Sequence, residues 1–184
     1  MEKLIRKRII QHMDKFDLFS IKQFGFMGGR SITLQLLKVL DDWTTILDNG
    51  RTIDTIYTYF MKTFDKVPHI RLINKLRSYG ISNQTCVWVK NFLSNHKQRV
   101  QLNGSFSKWH NVMSGIPQGS VLGPVLFVLF INDLPLNVES DVCMFADDTK
   151  LYREIANQID IKIIQNDINN LFKWSEKCLF ALSS

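Results

Sequence analysis

Residues 142–154 read VCMFADDTKLYRE, two adjacent carboxylates set between two short apolar runs. The pattern predicts a tight antiparallel hairpin, with its base in the core and Asp147 and Asp148 at its tip. Desolvated like charges repel strongly, so the pair cannot both be buried without a cation. Asp-Asp on a solvated turn is common, and the tripeptide ADD alone carries little weight. The flanks CMF and LY tie this tip to a core hairpin and hold it rigid. Hard oxygen ligands there suit Mg²⁺, with Mn²⁺ as the alternative. Mg²⁺ usually takes one or two protein carboxylates and completes its shell with water and substrate phosphate. Two such ions can activate an attacking oxygen and stabilise a leaving one in phosphoryl transfer.

Elsewhere the periodicities predict helices around one small sheet. A first helix over about 2–16 places Leu4, Ile5, Ile9, Met13 and Phe16 near one face. After GFMGGRS, Ser31 reads as the N-cap of a second helix, with Leu37, Leu40, Trp43 and Leu47 at helical spacing. RTIDTIYTYF is rich in β-branched and aromatic residues and predicts a strand. Pro68 suits the first turn of a helix ending at Gly80, and Ser82 starts another carrying Trp88 and Phe92. RVQLNGSFSKWHNVM alternates and turns at Asn103-Gly104, a hairpin signal. A last helix over about 159–177 carries Ile164, Ile168, Leu171 and Trp174. The sum is an α+β chain, a small antiparallel sheet packed on helices.

The apolar run VLGPVLFVLFI (121–131) is too short to span a bilayer and contains Pro124, so a buried helix is expected and no membrane partner. Before it, SGIPQGS sets Gly115 and Gly119 around Gln118, where bare backbone can approach a ligand closely. Cys86, Cys143 and Cys178 are far apart with no CxxC pair, which speaks for free thiols in a reducing compartment. The net charge of +6 favours an anionic partner such as nucleic acid.

Taken together, QFGFMGGRS (23–31), LLKVLDDWTTILDNG (36–50), FMKTFDKVPHIRLINKLRSYGI (60–81), NFLSNHKQRVQLNG (91–104), SGIPQGSVLGPVLFVLFINDLP (114–135), MFADDTKLYREI (144–155) and LFKWSEK (171–177) resemble the reverse transcriptase domain of non-LTR retrotransposons, most closely the jockey-like elements. PQGSxLGP followed by FADD about thirty residues on is a specific combination. The resemblance implies an RNA-directed DNA polymerase of the right-hand type: a palm with partial fingers, the fingers part over 1–50 and the palm with interleaved fingers helices over 51–184. It implies an RNA template, a DNA primer and dNTPs, with Mg²⁺ or Mn²⁺ as cofactor. Asp147 would bridge the metals, with Asp148 beside it. Phe64 would lie under the sugar, Gln118 and Gly119 against the nascent base pair and template, and Arg30 near the triphosphate. An endonuclease domain is expected in an intact parent element, and the site of action would be the nucleus or cytoplasm.

Three departures follow from the same resemblance. The family's first palm aspartate lies five residues before the aromatic gate, and that position holds Tyr59. Asp54, an odd number of residues earlier, should face the other side of the strand, and Asp65 follows the gate. A phenol, ordinarily protonated up to pH ~10, is a poor Mg²⁺ ligand, so weakened metal binding and impaired polymerisation are expected. Met27 stands where a basic residue is usual. The chain also begins after the first fingers motif and ends before a thumb is expected, as in a decayed copy. Two further readings stand beside the polymerase. One is a non-catalytic remnant tracking phosphates through Arg6, Lys7, Arg8, Arg71, Lys75, Lys97 and Arg99. The other is a non-functional fragment whose palm core, left uncovered, aggregates.

Overall fold

The computed structural model describes residues 1–60 and 62–180. Its centre is α6 (Gly123–Ile131), whose residues carry no polar side chain and are buried on every side from Val125 onward. A helix apolar all round has no face to offer water, so the rest of the chain must wrap it. The α4 helix (His69–Ser78) packs on it through Leu72, Ile73 and Leu76, and α5 (Asn83–Leu93) extends the layer through Cys86, Val89 and Leu93. From α1 (Glu2–Lys15) come Ile5, Ile9 and Met13. The last helix, α7 (Gln158–Cys178), starts at a capping box made by Asn157 and Asp160, and contributes Ile164, Leu171 and Trp174.

The sheet is antiparallel in the order β1 (Thr52–Thr58), β7 (Asp148–Ile155), β6 (Asp141–Phe145). Alternation along the strands gives it two occupied faces. Ile56, Val142, Met144 and Leu151 turn to the main core. Ile53, Cys143 and Tyr152 turn the other way, onto Val39 and Trp43 of α2 (Ile32–Asp48). The expected α+β architecture, helices against a small antiparallel sheet, is what the chain adopts.

Two helical faces differ from expectation. Leu4 of α1 and Phe16 just past its end are about half exposed, while Ile5, Ile9 and Met13 are buried. In α2, Leu37, Leu40 and Leu47 lie outside and the buried residues are Gln35 and Val39. This helix has apolar residues on more than one face, and only the Val39–Trp43 face meets the sheet. An ionic contact fixes that choice. The Tyr152 hydroxyl and the Lys38 ammonium both donate to Oδ2 of Asp42, the latter at 2.6 Å. Burial alone would raise the Asp42 pKa, but these two bonds hold it below the ordinary 3.8.

A depressed carboxylate pKa stabilises the fold above the unfolded value and loses that contribution as pH falls through the folded one. Tyr152→Phe should therefore cost about 1 kcal/mol at pH 7, discounted for the partial exposure of Asp42. The urea-unfolding gap between the two proteins should close as pH falls below about 3.8. A gap independent of pH would show that the Tyr152–Asp42 bond does not hold α2 in place.

Candidate active site

The β6–β7 hairpin closes at Phe145 and Asp148, with Ala146 and Asp147 as the two turn residues. Ala146 has φ +54°, a left-handed backbone that costs an L side chain about 1–2 kcal/mol. A buried glutamine holds it there. The Gln23 side chain accepts from Ala146 N–H at 2.9 Å and donates to Ala146 C=O at 3.2 Å, gripping both polar groups of one residue. The same oxygen accepts from Gly25 N–H at 2.7 Å. Around this grip, Phe24 N–H donates to Met144 C=O and Met144 N–H to Lys22 C=O, both at 2.8 Å. Residues 22–24 are thus a short parallel addition to β6. Gly25 is required by contact, since a Cβ there would sit 2.3 Å from the Ala146 nitrogen.

From this turn the two aspartates diverge. Asp147 is half-buried, and its Oδ2 accepts from the buried Thr63 hydroxyl at 2.9 Å. Asp148 is exposed and lines a cavity of about 300 Å³ with Gln35, Tyr57 and Tyr59. The β1–β7 register pairs Thr58 with Thr149, so the next residue out, Tyr59, comes level with Asp148. Position 59 is therefore where the expected third carboxylate should stand, and a half-exposed phenol occupies it. Asp54 pairs with Arg153 on the opposite face and does not reach the turn.

The short helix α3 (Thr63–Lys66) distributes three consecutive side chains. Thr63 bonds Asp147. Phe64 stacks on Phe127 of α6 at 4.4 Å between centroids, and the Phe26 ring meets it near-perpendicular at 6.2 Å between centroids. Asp65 Oδ1 accepts from Gln118 Nε2 at 3.1 Å. Backbone bonds from Gly115 to Val67 and from Ile116 to Phe64 zip α3 to the SGIPQG loop. Gly115, at φ +93°, has the Asp65 carbonyl where its Cβ would be, so the glycine near Gln118 serves a contact within the chain. Gln118 borders a cleft of about 760 Å³ with Lys62, His96 and Asn111. Gly119 has open space around its Cα. Arg30 Nη1 donates to the carbonyls of Ser20 at 2.9 Å and Gln23 at 2.5 Å, so this guanidinium braces the loop that grips the turn. Lys75, one of the residues expected to track phosphates, is instead bonded at 2.5 Å to both Asp133 and the Phe130 carbonyl.

Among the described residues no group of three or more His, Cys, Asp or Glu side chains gathers to hold a metal. Asp147 and Asp148 are the two hard-oxygen donors at the turn, the type of ligand that a divalent ion completing its shell with water and phosphate takes. Tyr59 supplies a phenol where a further carboxylate is expected. The residues that the sequence did not single out are Gln23 and Thr63. Their partners are 123 and 84 positions away, and no local pattern marks them.

A family model described as "Reverse transcriptase (RNA-dependent DNA polymerase)" matches residues 1–184. The chain is 29% identical to a probable RNA-directed DNA polymerase from transposon X-element of Drosophila melanogaster, over all of this chain and 21% of that protein. It is 31% identical to the RNA-directed DNA polymerase from mobile element jockey of the same species, over 81% of this chain and 17% of the relative. The chain thus spans about a fifth of the length of these relatives. In fold it is similar to apo telomerase from Candida tropicalis, at TM-score 0.64 and 12% identity over 91% of this chain and 36% of that one. Telomerase from Candida albicans in complex with a telomeric RNA fragment gives 0.64 and 11%, over 100% of this chain and 35% of that one.

Gln23→Ala strands two N–H groups and a carbonyl at the turn and should cost about 3 kcal/mol. Ala146→Gly removes the backbone strain and should stabilise the Gln23→Ala protein by at least about 0.5 kcal/mol less than it stabilises the parent, because the turn no longer held can relax by itself. Urea unfolding of the four proteins measures this. Strict additivity would mean that Gln23 does not hold the strained turn.

Proposed function

The chain belongs to the reverse transcriptase family, as the reverse transcriptase domain of a non-LTR retrotransposon, and from that premise we propose how its residues would serve RNA-directed DNA synthesis. The carrying observation is the carboxylate turn gripped by Gln23 and level with position 59. In the reaction a primer 3′-hydroxyl attacks the α-phosphate of an incoming dNTP, an O–P bond forms, and pyrophosphate leaves. Asp147 and Asp148 would hold Mg²⁺ or Mn²⁺, which when bound neutralises charge on the phosphate oxygens and favours the attacking alkoxide. Thr63 fixes the Asp147 carboxylate by hydrogen bond. Phe64, fixed by the stack on Phe127, offers its remaining surface to the sugar and so discriminates at the 2′ position. Gln118, oriented by Asp65, and Gly119 border the template side. Residues 1–50 would act as a fingers part and 51–184 as palm with interleaved fingers helices.

Tyr59 sets the limit on this activity. With a phenol instead of a carboxylate beside Asp148, the array lacks a ligand for holding two divalent ions, and the chain is a weak polymerase or none. That substitution also favours a second reading, a nucleic-acid-binding remnant without catalysis. RNA template, DNA primer and dNTPs are the proposed partners in the first reading, and nucleic acid alone in the second. An endonuclease domain in the parent element, and action in the nucleus or cytoplasm, complete the proposal. A single base change separates Asp and Tyr codons, so the loss is one step deep.

Primer extension on an RNA template with Mg²⁺ distinguishes the two. The chain and Tyr59→Asp would each be grafted into a full-length relative. Extension by the aspartate version at least about 100-fold above the tyrosine version, roughly 2.7 kcal/mol in the barrier, is expected. Equal extension by both would overturn the role given to position 59. Extension by neither favours the remnant.

A further inference from the structure

Residues 95–111 are exposed without exception, a two-stranded ribbon standing off the helices. Its base pairs β2 (Lys97–Gln98) with β5 (His110–Asn111), and its tip pairs β3 (Gln101–Leu102) with β4 (Ser105–Phe106). Asn103 and Gly104 both have positive φ, as a tight two-residue hairpin turn requires. Between the two ladders, Arg99 and Val100 on one strand face Ser107, Lys108 and Trp109 on the other. One extra residue is a β-bulge, which re-aims the side chains after it. Without it, Lys108 would share the face of Phe106 and Trp109 would point away. With it, Trp109 joins Phe106 beside Arg99, whose guanidinium lies 3.8 Å from the Phe106 centroid and 4.6 Å from that of Trp109.

Both rings remain more than half exposed, at 51% and 58%. Nothing in the ribbon neutralises its cations. Residues 66–132 contain eight Lys and Arg and no Asp or Glu, and among the described residues Lys97, Arg99 and Lys108 pair with no carboxylate. A cross-strand contact that only stabilised the ribbon would not need an acid-free stretch around it or two rings left open to water.

We propose that this ribbon is a binding platform for single-stranded nucleic acid, separate from the carboxylate turn, on which bases stack against Trp109 and Phe106 while Lys97, Arg99 and Lys108 meet the phosphates. The combination is the one that single strands select: aromatic faces that accept any base, interleaved with cations that follow the backbone. A duplex hides its base faces and has only phosphates to offer. The platform rests on the reading of the chain as one that handles nucleic acid, but not on its being catalytic.

Binding of fluorescein-labelled oligo(U) and oligo(dT) would be followed by anisotropy in EDTA, at two salt concentrations, with the 184-residue chain. The parent should bind either single strand more tightly than an RNA duplex, with affinity falling as salt rises. The double variant Phe106→Ala, Trp109→Ala should weaken binding at least tenfold. Arg99→Lys, which keeps the charge and loses the planar stack, should weaken it several-fold. Lys90→Ala, in the same acid-free stretch but on α5, should stay within twofold. A retained circular dichroism spectrum excludes misfolding as the cause, since none of these side chains is in the core. Binding by the double variant within twofold of the parent, or preference for duplex, overturns the platform. The two proposals fail separately: a chain that binds through the ribbon yet never extends a primer refutes only the polymerase reading.

Discussion

A single buried amide decides the geometry of the carboxylate turn. Ala146 occupies a backbone region where glycine is at ease, and Gln23 offsets that strain by bonding its N–H and its carbonyl together. The amide can do so because Gly25 lets the loop approach to contact, and because Arg30 fixes the carbonyl of Gln23 from the other side. The aspartate next in sequence is then aimed at Thr63 and its neighbour at the cavity holding Tyr59. The 22–25 loop and the carboxylate hairpin are in this sense one unit, and neither would keep its shape alone.

The second dependency is α6. Because no face of this helix tolerates water, every neighbouring element is positioned by what it covers there. Phe64 stacks on it, α4 lies along it, and Lys75 satisfies the carbonyl of Phe130 near its end while bonding Asp133. Asp133 also accepts from Trp174 Nε1, so the end of α6 anchors α7 as well. The apolar helix and the carboxylate turn are thus joined through α3, a four-residue helix touching both.

Much of this was legible in the sequence where the cause is local. Alternation around ADD, the apolar run 121–131 and the Asn-Gly turn each carry their own signal, and each element is present. What was not legible depends on distant partners. Leu37, Leu40 and Leu47 have the spacing of a buried stripe, yet Val39 and Trp43 face the sheet, because periodicity cannot say which of two apolar faces is covered. Arg30 reads as a phosphate ligand by resemblance, and only its carbonyl partners reveal the bracing role. Position 59 was legible as a departure, and the strand register sets it level with Asp148. The bulge opposite Arg99 could not be counted before the register of both ladders was known.

The strand pairing also has a consequence for the order in which the chain acquires its shape. β6 and β7 are neighbours joined by two residues, whereas β1 joins β7 across 91–103 positions and Gln23 reaches Ala146 across 123. Loop-closure entropy makes such distant contacts slow to form. On a ribosome, β1 and the 22–25 loop are made long before their partner exists, and wait with open hydrogen-bonding edges. The hairpin emerges late, serves as the template on which both are laid, and its turn receives the glutamine only when they dock. The carboxylate pair is therefore among the last features to become native, and the nascent chain must be kept from pairing elsewhere until then.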